Sequence, residues 1–279
     1  MATTSPVPHF LPYQGSKRLL AKAILGHVGG RQFARVIEPF AGSGAITLAA
    51  AQTGLAQRFL LADSLAPLCA LWQRALTDPE RLADDYATLW HGEVPFETVR
   101  AAFNQHPEPA ALLYLVARSV KNALRWSRAG HYNQAPDRRR RGVLPERMRT
   151  QLQKTSELLR GKCEVRCGDF TQALAEAGPD DLVYLDPPYQ GTTFGHDRRY
   201  HQGLEPERLV TELARLVERK VPFLLSYDGA TGSRTYGQPL PASLGLLRLE
   251  LRAGRSSQAT LSGRAEWTVE SLYVSPALQ

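Results

Sequence analysis

The sequence predicts an α/β fold built on a parallel sheet and interrupted by a mainly helical insertion. Short apolar runs ending in a polar residue alternate with helix-forming stretches in the first third of the chain. The same alternation resumes after residue 161, and residues 79–160 between them show helical periodicity without a convincing strand. A chain of 279 residues suits one large α/β domain and a smaller inserted one. The expected division is 1–78, 79–160 and 161–279.

In chain order, the run ending at Val36-Ile37-Glu38 is a strand, followed by the tight turn Pro39 to Gly44 and the helix-forming stretch Ala45 to Ala51. A second strand, Arg58 to Ala62, ends at Asp63, and a helix of about Leu65 to Leu76 follows. The insertion turns strongly basic around Lys121. Its tract from Arg128 to Pro145 carries Gly130, Pro136 and Gly142, which predicts an irregular loop. Glu164 to Cys167 is the next strand, and Leu182 to Leu185 another, ending at Asp186. Glu205 to Arg219 forms an amphipathic helix, Val221 to Ser226 a strand, and Leu244–Leu251 and Trp267–Val274 alternate like antiparallel strands.

Hydrophobic residues make up 43% of the chain, enough for a substantial core, yet no apolar run approaches the ~20 residues of a membrane span. The start, MATTSPVPHF, lacks a basic segment followed by an apolar core, so a cytoplasmic protein is expected. The net charge of +7 and pI of about 9.5 suit either solubility or a polyanionic partner. Cys69, Cys163 and Cys167 have no metal-type spacing, so no metal is expected.

Ligands of open parallel sheets bind beyond the carboxyl ends of the strands. Three polar features fall at such ends. In Glu38-Pro39-Phe40-Ala41-Gly42-Ser43-Gly44 the glycines let a ligand approach the backbone, and the helix start offers N–H groups. Asp63 is placed to accept hydrogen bonds from ribose hydroxyls. Asp169 can pair with an adenine amine and Phe170 flank the ring. A dinucleotide loop competes with this reading, but it has glycine where Thr47 stands; that and Glu38-Pro39-Phe40 favour S-adenosyl-L-methionine.

Asp186-Pro187-Pro188-Tyr189 is the most specific signal. The lone pair of adenine N6 is delocalised into the ring, and a catalyst must draw it back onto nitrogen. A carboxylate can accept one N6 hydrogen and a backbone carbonyl the other. Pro187 has no N–H, and paired prolines stiffen the turn, leaving the Pro187 carbonyl for the amine. Tyr189 can stack on the base. Held in line with a sulfonium methyl, the nitrogen displaces it directly, with positioning and electrostatics supplying most of the acceleration.

These motifs, in this order over nearly the whole chain, resemble the Dam-type, D12 class of adenine-N6-specific DNA methyltransferases in their α-type arrangement. The resemblance implies a Rossmann-like S-adenosylmethionine-dependent methyltransferase sheet with an inserted target-recognition domain. Leu11-Pro12-Tyr13-Gln14-Gly15-Ser16-Lys17 is similar to that family's leading motif, so Tyr13, Gly15 and Lys17 are implied to close over the cofactor. By the same resemblance Glu38, Pro39, Phe40, Ala41, Gly42 and Gly44 form the cofactor loop; Asp63, Asp169, Phe170 and Asp186 complete the cofactor site. Asp228 resembles another polar strand end without an assigned role.

The insertion resembles the family's recognition loop through Leu113-Tyr114-Leu115, Asn122, Gly130, Tyr132 and Asn133. Pro12, Lys121 and Ala123 depart from the family members that read GATC, so the chemistry carries over and the recognition sequence stays open. Chemistry on N6 requires the adenine to leave the stack, with Asn122 the implied filler of the gap. Lys121, Arg125, Arg128, Tyr132, Asn133 and the run Arg138, Arg139, Arg140 and Arg141 are the expected DNA contacts, through phosphates or guanine edges. Double-stranded DNA is the expected partner, with a separately encoded cognate restriction endonuclease a further one. Two other readings remain open: methylation of RNA or of cytosine N4, and a catalytically silent DNA-binding relative.

Overall fold

The structure is a computed structural model that describes residues 6–188, 205–231, 234–236, 238–255 and 267–279. Its strands are β1 (Phe33–Glu38), β2 (Ala56–Asp63), β3 (Cys163–Cys167), β4 (Asp181–Leu185), β5 (Phe223–Thr231), β6 (Arg234–Tyr236), β7 (Leu247–Arg255) and β8 (Trp267–Val274). They form one sheet in the order β3-β2-β1-β4-β5-β8-β7, and short β6 pairs off this path with β5. The first five run parallel. β8 pairs antiparallel with both β5 and β7, as the alternation in the tail predicts.

Central strands are buried on both faces, which explains their unbroken apolar runs: every residue of β4 is buried, and so are Val36, Ile37 and Glu38 of β1. After β1 the chain moves outward to β2 and β3, then returns to lay β4 on the other side of β1. The strand order therefore reverses between β1 and β4. At such a switch point a crevice opens beyond the carboxyl ends of the strands. Glu38 ends β1, and Asp186 follows β4.

Helices α1 (Ala21–Leu25), α2 (Ala45–Gln52) and α3 (Ala66–Thr77) cover one face of the sheet. The stretch expected to be helical contains α4 (Pro79–His91), α5 (Phe96–Gln105), α6 (Pro109–Arg118) and α7 (Pro145–Leu159). Proline stands in the first turn of α4, α6 and α7, where its missing N–H leaves no bond unmade. Asp78 caps α4 by accepting from the Arg81 N–H. These helices have no apolar core of their own. Leu112 to Leu115 of α6 are fully buried, and they belong to one continuous cluster with Trp72 of α3, Leu48 of α2 and Tyr184 of β4. Between α6 and α7 the chain is irregular, apart from one tight turn at 120–122 and the isolated pairs Ser119–Pro136 and Trp126–Tyr132. The opposite face of the sheet carries α8 (Phe170–Ala175) and α9 (Pro206–Glu218) over Ile37, Leu60, Val183 and Leu225. Among the described residues no helix is long and apolar enough to cross a membrane.

Candidate active site

The crevice at the switch point gathers the leading motif, the glycine loop and three strand ends into one cleft. Tyr13, Gly15, Lys17, Glu38, Pro39, Phe40, Ala41, Gly42, Asp63, Asp169, Phe170, Asp186, Pro187 and Pro188 all line it. Its empty volume is about 1180 Å³, the open mouth included. Gly44 lies just behind the lining at the start of α2. Tyr189 lies outside the described residues.

The loop owes its shape to two glycines at positive φ, Gly42 (+45°) and Gly44 (+59°). A Cβ on Gly44 would stand 2.7 Å from Cζ2 of Trp72, whose ring is buried. The Trp72 indole N–H donates to the Gly42 carbonyl at 3.0 Å and fixes the loop from beneath. From the other side, Asp63 accepts the Gly42 N–H at 3.2 Å and the Leu65 N–H at 3.0 Å. Those bonds occupy two of the roughly four lone-pair sites of a carboxylate. The rest of its capacity fits a ribose diol. Burial pushes the Asp63 carboxyl above its ordinary range, against these backbone bonds.

Glu38 lines the cleft, and its carboxyl is engaged within the protein. It is 3% exposed, and Oε2 accepts both the N–H of Thr47 at 2.9 Å and its hydroxyl at 2.7 Å. It thereby ties β1 to the first turn of α2, and Thr47, standing where a dinucleotide loop has glycine, is its partner. Burial is the main cause that raises the Glu38 carboxyl to about 8. The folded state thus holds a proton that the unfolded chain releases above the ordinary value of 4.5. Glu38→Gln removes this dependence. In thermal melts of the free protein, the variant gains on the wild type as pH rises from 4.5 to about 8, and the gap then levels. Parallel melting curves across that range would exclude a buried protonated Glu38.

Phe40 and Phe170 stack with centroids 5.1 Å apart and planes 28° from parallel, and the Arg208 guanidinium lies 5.2 Å above Phe170. Together they give the cleft a flat aromatic wall suited to an adenine ring. Asp169 caps α8 through Thr171 and takes a two-pronged ion pair from Arg208, at 2.9 and 2.7 Å. Partial burial raises its carboxyl, but the Thr171 bonds and Arg208 outweigh that and bring it below the ordinary range. Asp169 is therefore a charged anchor for this wall, with Oδ1 more heavily engaged than Oδ2.

On the opposite side, Lys17 reaches into the cleft and is only 5% exposed. Its ammonium donates to both oxygens of Asp186 at 2.8 Å and to the Gly15 carbonyl at 3.2 Å. Glu270 of β8 lies 3.7 Å away. Burial raises the Asp186 carboxyl, and Lys17 opposes the rise. Ser16 and Ser43 join the leading motif to the glycine loop through a 2.7 Å hydroxyl–hydroxyl bond. Among the described residues no group of three or more His, Cys, Asp or Glu could hold a metal ion.

The expected DNA contacts divide into two sets. Lys121, Arg128, Asn133 and Arg138 to Arg141 are exposed on the irregular loop between α6 and α7. Tyr132 is not on that surface. It is 1% exposed and packs edge-on against Phe103 and Trp126, so as a large apolar ring it completes the core. Arg125 is half-buried. Asn122 is turned inward: its amide donates to the carbonyls of Val116 and Ala117 at 3.0 and 3.3 Å, capping α6. It adopts φ +52° next to Lys121 at +59°, a left-handed pair tolerated because of this cap. Its carbonyl accepts the Gln14 N–H at 3.0 Å, which links the basic loop to the leading motif. Trp126 and Leu124, singled out by no motif, line the cleft from the loop side. Trp72, Arg208 and Glu270 were likewise not foreseen; each acts through a partner distant in sequence.

Comparison with known proteins agrees with this geometry. A family model for D12 class N6 adenine-specific DNA methyltransferases matches residues 13–252. The retron Ec67 DNA adenine methylase of Escherichia coli is 27% identical over 207 residues, covering 68% of this chain and 69% of its own. The DNA adenine methylase of Escherichia coli K12 is 26% identical, covering 82% and 84%. The DNA N-6-adenine-methyltransferase of Escherichia phage P1 is 29% identical over 72% of this chain, which spans only 27% of that longer protein. A match running from the leading motif through the cleft and into β7 means that this chain belongs to the D12 class N6 adenine-specific DNA methyltransferase family.

Proposed function

We propose that the chain transfers a methyl group from S-adenosyl-L-methionine to N6 of an adenine swung out of duplex DNA. The observation that supports this most is Asp186. It is a carboxylate at the switch point, held by a buried lysine and followed by two prolines, in the same cleft as the glycine loop and Asp63. Asp63 would hold the cofactor's ribose, Phe40 and Phe170 its adenine face, and the Gly42–Gly44 backbone its remaining flank. When bound, the cofactor supplies an electrophilic methyl on a sulfonium. Asp186 would accept a hydrogen bond from one N6 hydrogen and the Pro187 carbonyl one from the other, which restores the nitrogen lone pair for in-line attack; the sulfur–methyl bond would break as the N–C bond forms, a neutral thioether would leave, and the surplus N6 proton would pass to water. By the implication of the motif, Tyr189 would stack on the base.

The exposed basic loop would carry the DNA, with residues 79–160 as the target-recognition part and the cytoplasm as the place of action. The direct test is to incubate the protein with S-adenosylmethionine and duplex DNA and identify the modified nucleoside by mass. N6-methyl-2′-deoxyadenosine supports the reading; N4-methyl-2′-deoxycytidine, or no product, refutes it. Replacing Arg138 to Arg141 together by alanine should weaken DNA binding and flatten its salt dependence, by about 0.9 in log–log slope for each phosphate no longer neutralised. Unchanged affinity and slope in a filter-binding titration would remove the run as a phosphate clamp.

A further inference from the structure

The structure raises a difficulty for Asp186 as an acceptor: both its oxygens already receive Lys17 at 2.8 Å. An ammonium so placed polarises both oxygens and weakens their pull on an incoming amine N–H. Acceptance by Asp186 is stronger if the ammonium gives up one of these bonds and has another anion to move to. The described residues contain such an anion at Glu270, 3.7 Å from the Lys17 nitrogen. A displacement of about 1 Å brings the pair into hydrogen-bonding range.

The backbone places Glu270 there by a specific irregularity. β5 and β8 pair Ser226 with Leu272 and Gly229 with Glu270, so β5 carries one extra residue between these two positions. At Gly229 the strands approach so closely that a Cβ would stand 2.5 Å from the Val269 carbonyl. Along β8, Glu270 shares a face with Leu272 and Val274, which belong to the core cluster of Tyr184. By the same alternation Asp186 shares a face with Tyr184. The two carboxylates thus lie on one face of the sheet, and Lys17 crosses over it between them. A glutamate among core-facing positions is costly unless it has partners, and Lys17 is one of them. Glu270 also lies beyond the matched family segment, which ends at residue 252.

We propose that Glu270 is a positioning residue for methyl transfer: it takes over the Lys17 ammonium when the target base enters, releasing an Asp186 oxygen to accept the N6 hydrogen. This rests on the reading of Asp186 as the amine acceptor. No covalent bond changes; one N–H···O contact is exchanged for another, and the charges of Lys17, Asp186 and Glu270 stay as they are.

The test uses the full chain and single-turnover transfer to duplex DNA with saturating S-adenosylmethionine. Glu270→Gln keeps the shape and removes the charge. Its transfer rate constant should fall about 10- to 100-fold, because Lys17 continues to draw on both Asp186 oxygens and weakens their pull on the amine. Affinities for cofactor and DNA should stay within about twofold, and the melting midpoint should hold. In a Lys17→Met background the same change should cost nothing more, since Glu270 acts only through the ammonium. Losses that multiply in the double variant, or a wild-type rate in E270Q, overturn the proposal. If E270Q melts early, Glu270→Asp carries the same cycle with the charge retained on a shorter arm. A partial loss that vanishes without Lys17 supports the proposal, and a full rate or a loss that persists overturns it. Absence of adenine methylation by the unmodified protein would instead mark failure of the underlying function, so the two failures are distinguishable.

Discussion

Asp186→Asn should lower the transfer rate constant by about 100- to 1,000-fold while DNA binding is largely spared. The amide keeps the shape of the carboxylate but loses its charge, and with it most of its pull on the adenine amine. A second effect accompanies the first. Lys17 is 5% exposed and donates to both Asp186 oxygens, so the change removes its closest counter-charge. Breaking one side of a buried ion pair costs about 3–5 kcal/mol in the general case. Here Glu270 at 3.7 Å softens the cost. The two effects separate in the double variant Asp186→Asn with Lys17→Met, which removes the stranded ammonium but leaves Glu270 without it, and should recover part of the folding stability and none of the transfer. Quench-flow transfer assays and urea unfolding measure the two quantities on the same samples. Transfer near the wild-type rate in the single variant would remove Asp186 from the chemistry.

Gly44→Ala should be strongly destabilising. The residue sits at φ +59°, a conformation that costs a side chain about 1–2 kcal/mol. The new Cβ would also meet two carbons of the Trp72 ring, at 2.7 and 2.9 Å. That ring cannot retreat. It is 1% exposed, packs edge-on against Phe10 at 4.9 Å, and is tied to the Gly42 carbonyl. Overpacking of this kind adds about 1–3 kcal/mol. The expected sum is a loss of about 2–5 kcal/mol in unfolding free energy, with weakened cofactor binding because the indole–carbonyl bond shapes the loop. Equilibrium unfolding and a calorimetric cofactor titration check both parts. An unaltered unfolding midpoint would show that the loop does not depend on this close approach.

The elements that carry the chemistry were legible because their signals are local. β1 and β4 are buried on both faces, so each reads as an unbroken apolar run, and Glu38 and Asp186 mark where the runs stop. The antiparallel tail was legible from its two-residue alternation. What stayed hidden depends on packing between distant segments. The stretch 79–160 was legible as helical, but only the fold shows that Leu113-Tyr114-Leu115, which resemble part of a recognition loop in sequence, are buried in α6 between α3 and α4. Tyr132 resembles a recognition residue in sequence and is a core residue in space. Arg208 gives no sign that it will clasp Asp169, since both the loop and the helix must first be in place. Glu270 left a faint signal: a charge in step with Leu272 and Val274 on the buried face of a strand.

The hydrogen bond from Gln14 to Asn122 ties the leading motif, which lines the cleft, to the basic arc. Asn122 is also pinned to the end of α6, so the arc has a fixed pivot rather than a free swing. Prying the arc outward to admit a duplex either breaks this latch or drags Gln14 with it, and Lys17 lies three residues further along the same strand of chain.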